Sequence, residues 1–427
     1  MTDGRSAVAD KRASPAAAVD TVVSRYRWTI CALLFVATTI NYIDRQVLGI
    51  LAPTLQRELH WTEADYGDIV SWFSFAYAFG FLAAGRIIDW IGVKRGLAGA
   101  VIAWSAAAAG TALARTVGGF SFARALLGVS ESAIFPGSIK AVAEWFPQKE
   151  RALATGIFNA GTNTGAILTP LLVPWITLTW GWQWAFVATG ALGLVWLLFW
   201  IPLYREGSRG SPATATEKVR WMQLFRHRQT WAFIVGKLMA DPVWWFYLYW
   251  LPKFLDAKYG VKLAQLAAPI IVVYLIADVG SVGGGWLSSA LIKRGWTVNR
   301  ARKTTMLAMA LLIVPTTLAG RAPNMWAAVV IVGVAAAAHQ AWSANMYTLA
   351  SDMFPKFAVG SVVGIGSFGG AMGGVLFQRV TGRVLQANGS DYTPIFVVCG
   401  LAYITAWLII HLLAPRLEPA QLETQRT

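Results

Sequence analysis

The sequence predicts an all-α polytopic membrane protein with two lobes of six membrane-spanning helices each. Of its 427 residues, 56% are hydrophobic and only 13% are charged, whereas a soluble domain has about 25% charged residues. Apolar stretches near the roughly 20 residues that span a bilayer recur along the whole chain. Lys and Arg concentrate in alternate loops between them, as they do in multi-pass membrane proteins.

About twelve apolar segments have membrane-spanning length. They run near 27–50, 66–90, 96–115, 118–145, 151–175, 183–203, 230–256, 264–292, 303–320, 325–353, 357–385 and 392–414. The long polar stretch 204–229 divides them into an N-terminal lobe (25–203) and a C-terminal lobe (230–415). Residues 1–24 lack an apolar core and predict a disordered cytoplasmic tail. Residues 416–427 form a second cytoplasmic tail.

The net charge of +15 reflects membrane orientation and not nucleic-acid binding. Basic residues cluster before the first segment, after the second, between the fourth and fifth, in the central stretch and after the eighth. These positions lie on one side, which we call the basic face; the other loops reach the opposite face. The positive-inside rule assigns the basic face and both termini to the cytoplasm.

Ionisable residues lie inside several of the apolar segments. A charge at bilayer depth costs at least about 2.5–3.5 kcal/mol, so it is retained where it faces a cavity or a partner, and it marks a substrate or proton path. Because the residues lie on different segments, they indicate a transporter. They are Asp44, Arg45, Arg124, Glu131, Lys237 and Asp241.

Arg124 and Glu131 are seven residues apart, which is two helical turns and nearly the same face. Burial favours the neutral form of a carboxyl group, and a nearby guanidinium favours the ionised form. We therefore expect Glu131 or Asp44 to exchange a proton while Arg124 pairs with whichever is ionised. The alternative is an ion pair that only holds helices together.

Arg45 follows Asp44 and points about 100° away from it around the helix. Its planar guanidinium group can donate two parallel hydrogen bonds to a substrate carboxylate. The alternative is a second structural ion pair. Lys237 and Asp241 are four residues apart, which predicts an ion pair within one helix or a lysine that reaches the substrate from the second lobe. Pro242 predicts a kink there.

Several uncharged or weakly basic side chains in the apolar segments have either a structural role or a role in binding substrate or protons. His339 in the tenth segment is either a hydrogen-bonded interior histidine or a substrate or proton site. Trp342, Asn345 and Tyr347 follow it on the next turns. In the fifth segment, Asn159 and Thr162 either contact substrate hydroxyls or only pack as polar side chains.

Five residues in GRIIDWIGVKRG carry a resemblance to the loop signature of the major facilitator superfamily: Gly85, Asp89, Gly92, Lys94 and Arg95. The element GGWLSSALIKRG repeats part of this pattern in the second lobe. The stretches NYIDR, RALLGVSESAIFPG and FNAGTNTGAILTP resemble the anion:cation symporter branch. DPVWWFYLYWLPKFL and AAAAHQAWSANMYTLASDMFPKFAVGSVVGIG resemble its bacterial hexuronate transporters.

This resemblance implies the twelve-helix major facilitator fold in a bacterial inner membrane, working as a monomer by alternating access. The implied activity is proton-coupled uptake of a sugar-acid anion such as galacturonate or glucuronate, with the proton as coupling ion and no metal or organic cofactor. Asp44 and Glu131 would carry the proton and Arg124 would pair with the first of them. Arg45 would bind the substrate carboxylate and Tyr77 a second substrate group.

Three departures from these relatives leave the substrate open. Lys237 stands where sugar-acid relatives tend to have Gln, and Tyr347 and Ser367 stand where galactonate-type relatives have Trp and Asn. An aldonate, glucarate or a smaller carboxylate is the alternative. An enzyme is not expected, because the four histidines lie in different segments without a metal motif. A channel fits the two-lobe repeat and the charges between the lobes less well, and a sensor is expected to carry an appended signalling domain.

Overall fold

The computed structural model describes residues 15–146, 148–205 and 221–422, and these are almost entirely helical. In chain order the helices are α1 (Pro15–Leu59), α2 (Glu63–Ile91), α3 (Val93–Gly110), α4 (Val117–Glu131), α5 (Ile134–Trp145), α6 (Gln148–Trp180), α7 (Trp182–Leu203), α8 (Trp221–Leu224), α9 (Arg228–Tyr259), α10 (Ala267–Lys293), α11 (Val298–Ile313), α12 (Met325–Met353), α13 (Lys356–Ala387) and α14 (Thr393–Leu413). Short 3-10 turns occupy Thr111–Leu113, Leu263–Gln265 and Val314–Arg321.

Eight stretches of the described chain are long and apolar enough to cross a membrane. They are Glu63–Ile88, Val93–Leu113, Trp182–Leu203, Leu263–Lys293, Val298–Arg321, Met325–Met353, Ala358–Ala387 and Thr393–Leu413. The remaining predicted segments coincide with α1, the pair α4–α5, α6 and α9, which carry most of the charged and polar residues at membrane depth. The all-α polytopic fold is confirmed, and the count of twelve spans stays a prediction.

Two helix boundaries differ from the prediction. Helix α1 begins at Pro15, inside the segment 1–24 that was expected to be disordered, because the alanine run after Pro15 has high helix propensity. Residues 1–14 lie outside the described residues, as do 206–220 of the central stretch. The fourth predicted segment is interrupted between α4 and α5, since the Pro136 ring clashes with the carbonyl four residues earlier.

The helices pack in two groups that correspond to the predicted lobes. In the first lobe, α1 packs on α6, α2 on α4, and α3 on α7. In the second, α10 packs on α12, and α9 packs on α13 and α14. The lobes meet where α1 contacts α9, α2 contacts α13 and α6 contacts α10. Side chains on these six helices therefore face the boundary between the lobes.

The loop signature forms the turn between α2 and α3. Gly92 has φ 85° there, and Gly295 has φ 90° at the corresponding turn between α10 and α11. Glycine adopts this left-handed conformation without the steric cost of a Cβ atom. The internal repeat thus appears as the same turn in both lobes. The side chain of Asp89 lies outside the described residues.

Charged side chains join the lobes near the opposite face. Each of three ion pairs connects α1 or α2 of the first lobe with α9 or α13 of the second. Tyr66 of α2 adds a hydrogen bond of 2.6 Å to the carbonyl of Tyr249 in α9. The pairs are Arg57–Asp256 (2.7 Å), Lys253–Glu63 and Arg379–Asp68 (3.3 Å).

Glycines show how close the two lobes come. A Cβ atom added at Gly49, Gly67 or Gly382 would lie 3.0, 2.7 or 2.5 Å from a carbonyl oxygen of the facing lobe. On the half toward the basic face, a Cβ atom added at Gly156 or Gly360 would meet nothing within 4 Å. The lobes are therefore in tight contact at the opposite face, whereas these two glycines of α6 and α13 border open space.

Candidate functional site

Helix α1 places Arg45 at the end of α4, where it forms an ion pair with Glu131. The Nε and Nη2 atoms of Arg45 each lie 3.0 Å from Oε2 of Glu131. Nη2 also lies 3.3 Å from Oδ1 of Asn41, one turn earlier on α1. The two charged side chains are 4% and 0% exposed. In this state the guanidinium expected to bind substrate is therefore held by a protein carboxylate.

Three aromatic rings surround the Arg45 guanidinium. Its central carbon lies 4.8 Å from the ring centre of Tyr42, 5.0 Å from Phe73 and 4.9 Å from Tyr77. Such contacts stabilise a cation, more strongly where water is excluded. The structure therefore brings Tyr77, which the resemblance assigns to the substrate, beside Arg45. It adds Tyr42, which the sequence reasoning missed although it lies within NYIDR.

Arg124 takes a different position from the one expected. Its Nη2 donates a hydrogen bond of 3.1 Å to the carbonyl oxygen of Arg45, and its guanidinium lies over Phe73, 4.8 Å from the ring centre. Tyr249, from the second lobe, is 5.9 Å away. Neither Asp44 nor any other described carboxylate forms an ion pair with it. The expected pairing with Asp44 is thus not formed in this state.

Asp44 is a buried carboxyl group whose two oxygens accept no hydrogen bond from the described residues. Thr189 of α7 is nearby, but its hydroxyl is directed to the carbonyl of Phe186 at 3.4 Å. One oxygen of Glu131, Oε1, is also buried without a described partner. The first lobe therefore holds two carboxyl groups with unused acceptor capacity beside two arginines.

The second lobe contributes a lysine, an aspartate and a tyrosine. Nζ of Lys237 lies 2.8 Å from Oδ2 of Asp241 and donates to the hydroxyl of Tyr347 at 3.2 Å. The intrahelical ion pair is therefore present. Tyr347 is 46% exposed, so this cluster borders open space, and Ser367 of α13 is half-buried.

His339 is held by its own lobe. Its ring stacks on Trp244 with centroids 5.1 Å apart, and its Nδ1 lies 2.5 Å from the hydroxyl of Tyr403. That hydroxyl donates its proton to the carbonyl of Ala240 at 3.1 Å. In that arrangement Nδ1 is the donor toward Tyr403, and the other tautomer of the ring reverses the direction. The geometry favours the reading of His339 as a hydrogen-bonded interior histidine.

Three other predicted substrate contacts do not join this cluster, and a fourth, Asn159, has an exposed side chain on α6. Trp342 is fully buried against Tyr403. Asn345 is buried and donates to the carbonyl of Gly284 on α10 at 3.2 Å. Thr162 donates to the carbonyl of Asn159 at 2.8 Å. The first two pack within the second lobe because their side chains face α14 and α10, and the hydroxyl of Thr162 is used within its own helix.

Two polar links between the lobes were missed. Nε2 of Gln46 donates to the hydroxyl of Tyr274 at 3.0 Å, and Nδ2 of Asn163 donates to Oδ1 of Asp278. Asp278 lies inside the eighth apolar segment. The criterion that selected Asp44 and Glu131, an acid at membrane depth, would have found it.

The chain matches the family described as Major Facilitator Superfamily over residues 34–299. It is 31% identical to the hexuronate transporter of Escherichia coli (strain K12) over 418 residues, covering 92% of this chain and 96% of that protein. It is 34% identical to the galacturonate transporter of Dickeya chrysanthemi over 309 residues, covering 67% of this chain and 89% of that protein.

Solved structures support the same fold. A D-xylose–proton symporter superposes with a TM-score of 0.75 at 16% identity, covering 92% of this chain and 99% of that one. A bacterial homologue of the human lysosomal transporter Spinster, in an inward-facing and occupied conformation, gives 0.72 at 18% identity, covering 91% and 96%. The chain therefore belongs to the major facilitator superfamily and is a membrane transporter, not an enzyme, similar to the hexuronate transporters.

Proposed function

We propose that this protein is a proton-coupled symporter that takes up a hexuronate anion, such as galacturonate or glucuronate, by alternating access. Similarity to transporters named for hexuronate and galacturonate supports the substrate class. The observation that carries the coupling is the buried pair between Arg45 and Glu131. We further propose a bacterial inner-membrane location, cytoplasmic termini and a monomeric unit.

Proton and substrate are coupled because Glu131 and the substrate carboxylate compete for Arg45. While Glu131 is ionised it occupies the guanidinium fork, which is the group best suited to bind a carboxylate. A proton on Glu131 removes that charge and frees the fork for the substrate. Asp44, buried near Thr189, is a second site for a proton. Across the boundary, Lys237 faces the sugar end of the bound molecule.

The proton also makes uptake favourable. Importing a monoanion against an inside-negative potential costs about 2.3 kcal/mol per 100 mV. One accompanying proton cancels the transported charge, and an inward pH gradient then contributes about 1.36 kcal/mol per pH unit. A carrier of this kind would accumulate its substrate from a dilute exterior.

Uptake of labelled galacturonate into proteoliposomes tests the proposal. Uphill uptake should require an inward proton gradient and collapse on adding a protonophore. Glu131→Gln and Asp44→Asn should stop accumulation, while at least one of them retains exchange of substrate in both directions. Normal accumulation by both variants at a fixed pH gradient would remove these carboxyl groups from the coupling step.

One observation favours a second candidate substrate class. Lys237 places a cation in the second lobe, in addition to Arg45 in the first. The ion pair between Lys237 and Asp241 lies beside the exposed side chain of Tyr347. Two cations suit a molecule with two carboxylates, such as glucarate. Competition of galacturonate uptake by glucuronate, galactonate and glucarate ranks these substrates directly.

A further inference from the structure

A polar cavity of about 450 Å³ lies on the basic face of the second lobe, away from the boundary between the lobes. Arg226, His227 and Arg228, at the start of α9, line one side. Arg416 and Glu418, after α14, line the other. Cations exceed acids in this lining. The proposed transport function uses none of these residues.

The walls of the cavity are fixed by hydrogen bonds. Nζ of Lys303, on α11, donates to the carbonyls of Ala414 at 2.5 Å and Pro415 at 2.8 Å. The backbone N–H of Ala420 donates to the carbonyl of Met353 at the end of α12 at 2.8 Å. The segment after α14 therefore folds back onto its own lobe and holds Arg416 opposite the start of α9.

Charge and helix geometry both favour an anion here. Arg416 lies 3.8 Å from Glu418, with both side chains mostly exposed, so that pair is weak. Among the described residues, no acid forms an ion pair with Arg226 or Arg228. His227 gives the first turn of α9 no side-chain cap. The N–H of Thr230 donates to the carbonyl of His227, and the N–H groups of Arg228 and Gln229, which have no such bond among the described residues, are available for an anion.

Leu413 is the largest apolar side chain among the residues that line the cavity, and exposed apolar residues lie a few positions away from the lining residues along the chain. Met222 in α8 is 76% exposed, Trp231 in the first turns of α9 is 46% exposed and Leu412 near the end of α14 is 75% exposed. Exposed apolar residues beside arginines at the end of a membrane helix are typical of the depth at which lipid headgroups meet acyl chains. We propose that this cavity binds the phosphate headgroup of an anionic phospholipid, with the acyl chains along these apolar residues.

Binding of phosphatidylglycerol to the purified full-length protein, measured by native mass spectrometry, tests the proposal. The variant combines Arg226→Gln, Arg228→Gln and Arg416→Gln. The matched control combines Arg205→Gln, Arg294→Gln and Arg300→Gln, which removes equal charge from the same face. The cavity variant should bind phosphatidylglycerol about 100-fold more weakly, about fivefold for each arginine. The control should stay within about twofold of the unaltered protein.

Equal weakening in both triple variants would overturn the proposal, because it would indicate attraction to overall charge. Equal binding of phosphatidylcholine would also overturn it. If inorganic phosphate displaces phosphatidylglycerol at comparable concentration, the cavity is a site for a free anion and the lipid assignment is wrong. Should the triple variant fail to elute as a folded protein, the three single variants each carry the same expectation of about fivefold weakening.

Discussion

Gly67→Ala should shift this protein away from the state in which the opposite face is closed. Gly67 of α2 packs on α13 of the other lobe, and an added Cβ atom would lie 2.7 Å from the carbonyl oxygen of Gln378 and 3.1 Å from Cα of Gly382. Both are backbone atoms, so relief requires the helices to separate. Overpacking of this kind costs about 1–3 kcal/mol, which changes the ratio of closed to open states by about 5- to 150-fold.

The distance between spin labels attached at His60→Cys and Gln386→Cys, measured by double electron–electron resonance, reports this closure. Both residues are exposed, and each lies at the opposite-face end of its lobe. Gly67→Ala should lengthen the main distance. The matched control is Gly99→Ala, where an added Cβ atom meets nothing within 4 Å and only the helix propensity changes. Identical distance distributions for the two folded variants would refute the argument that this contact is specific to the closed state.

Three further outcomes are expected. Arg45→Lys should weaken galacturonate binding by about tenfold, measured by equilibrium binding, because an ammonium cannot replace the two-donor fork. Lys237→Gln should lower competition by glucarate more than competition by glucuronate, since it removes the second cation. Outside the membrane segments, hydrogen bonds from Thr393 lower the pKa of Asp391. Its stabilisation is therefore present above about pH 3.9 and lost as the pH falls through the lowered pKa. Asp391→Asn should reduce the change in melting temperature between pH 7 and pH 3.

The sequence predicts the architecture well because the bilayer restricts the choices. An apolar stretch of spanning length must be helical, since nothing else satisfies its backbone at that depth. The turn glycines of the two lobes were likewise readable, because a left-handed φ selects glycine. The break between α4 and α5 was not predicted, although Pro136 supplied the signal. The sequence therefore predicts the helices better than the residues at which they begin and end.

The site was harder to predict, because sequence spacing gives the face of a helix but not its neighbour on another helix. Arg124 and Glu131 do share a face of α4, yet Glu131 pairs with Arg45, whose long side chain reaches from α1 to the end of α4. Trp342 and Asn345 follow His339 at helical spacing, yet they face α14 and α10. Only the packing of six helices at the lobe boundary decides which side chains reach the space between them.

The charges around the proposed substrate position make a prediction about proton number. In the first lobe the charges of the ionised side chains Arg45, Arg124, Asp44 and Glu131 sum to zero. In the second lobe the charges of Lys237 and Asp241 also sum to zero. A bound monoanion adds one uncompensated negative charge at membrane depth, where a net charge has a high free-energy cost. One proton restores neutrality. A dianion would require two protons, which Asp44 and Glu131 together can hold. At a fixed substrate gradient, the pH gradient at which net flux reverses should therefore give one proton per galacturonate and two per glucarate. A ratio that is the same for both substrates would show that protein charge balance does not set the coupling.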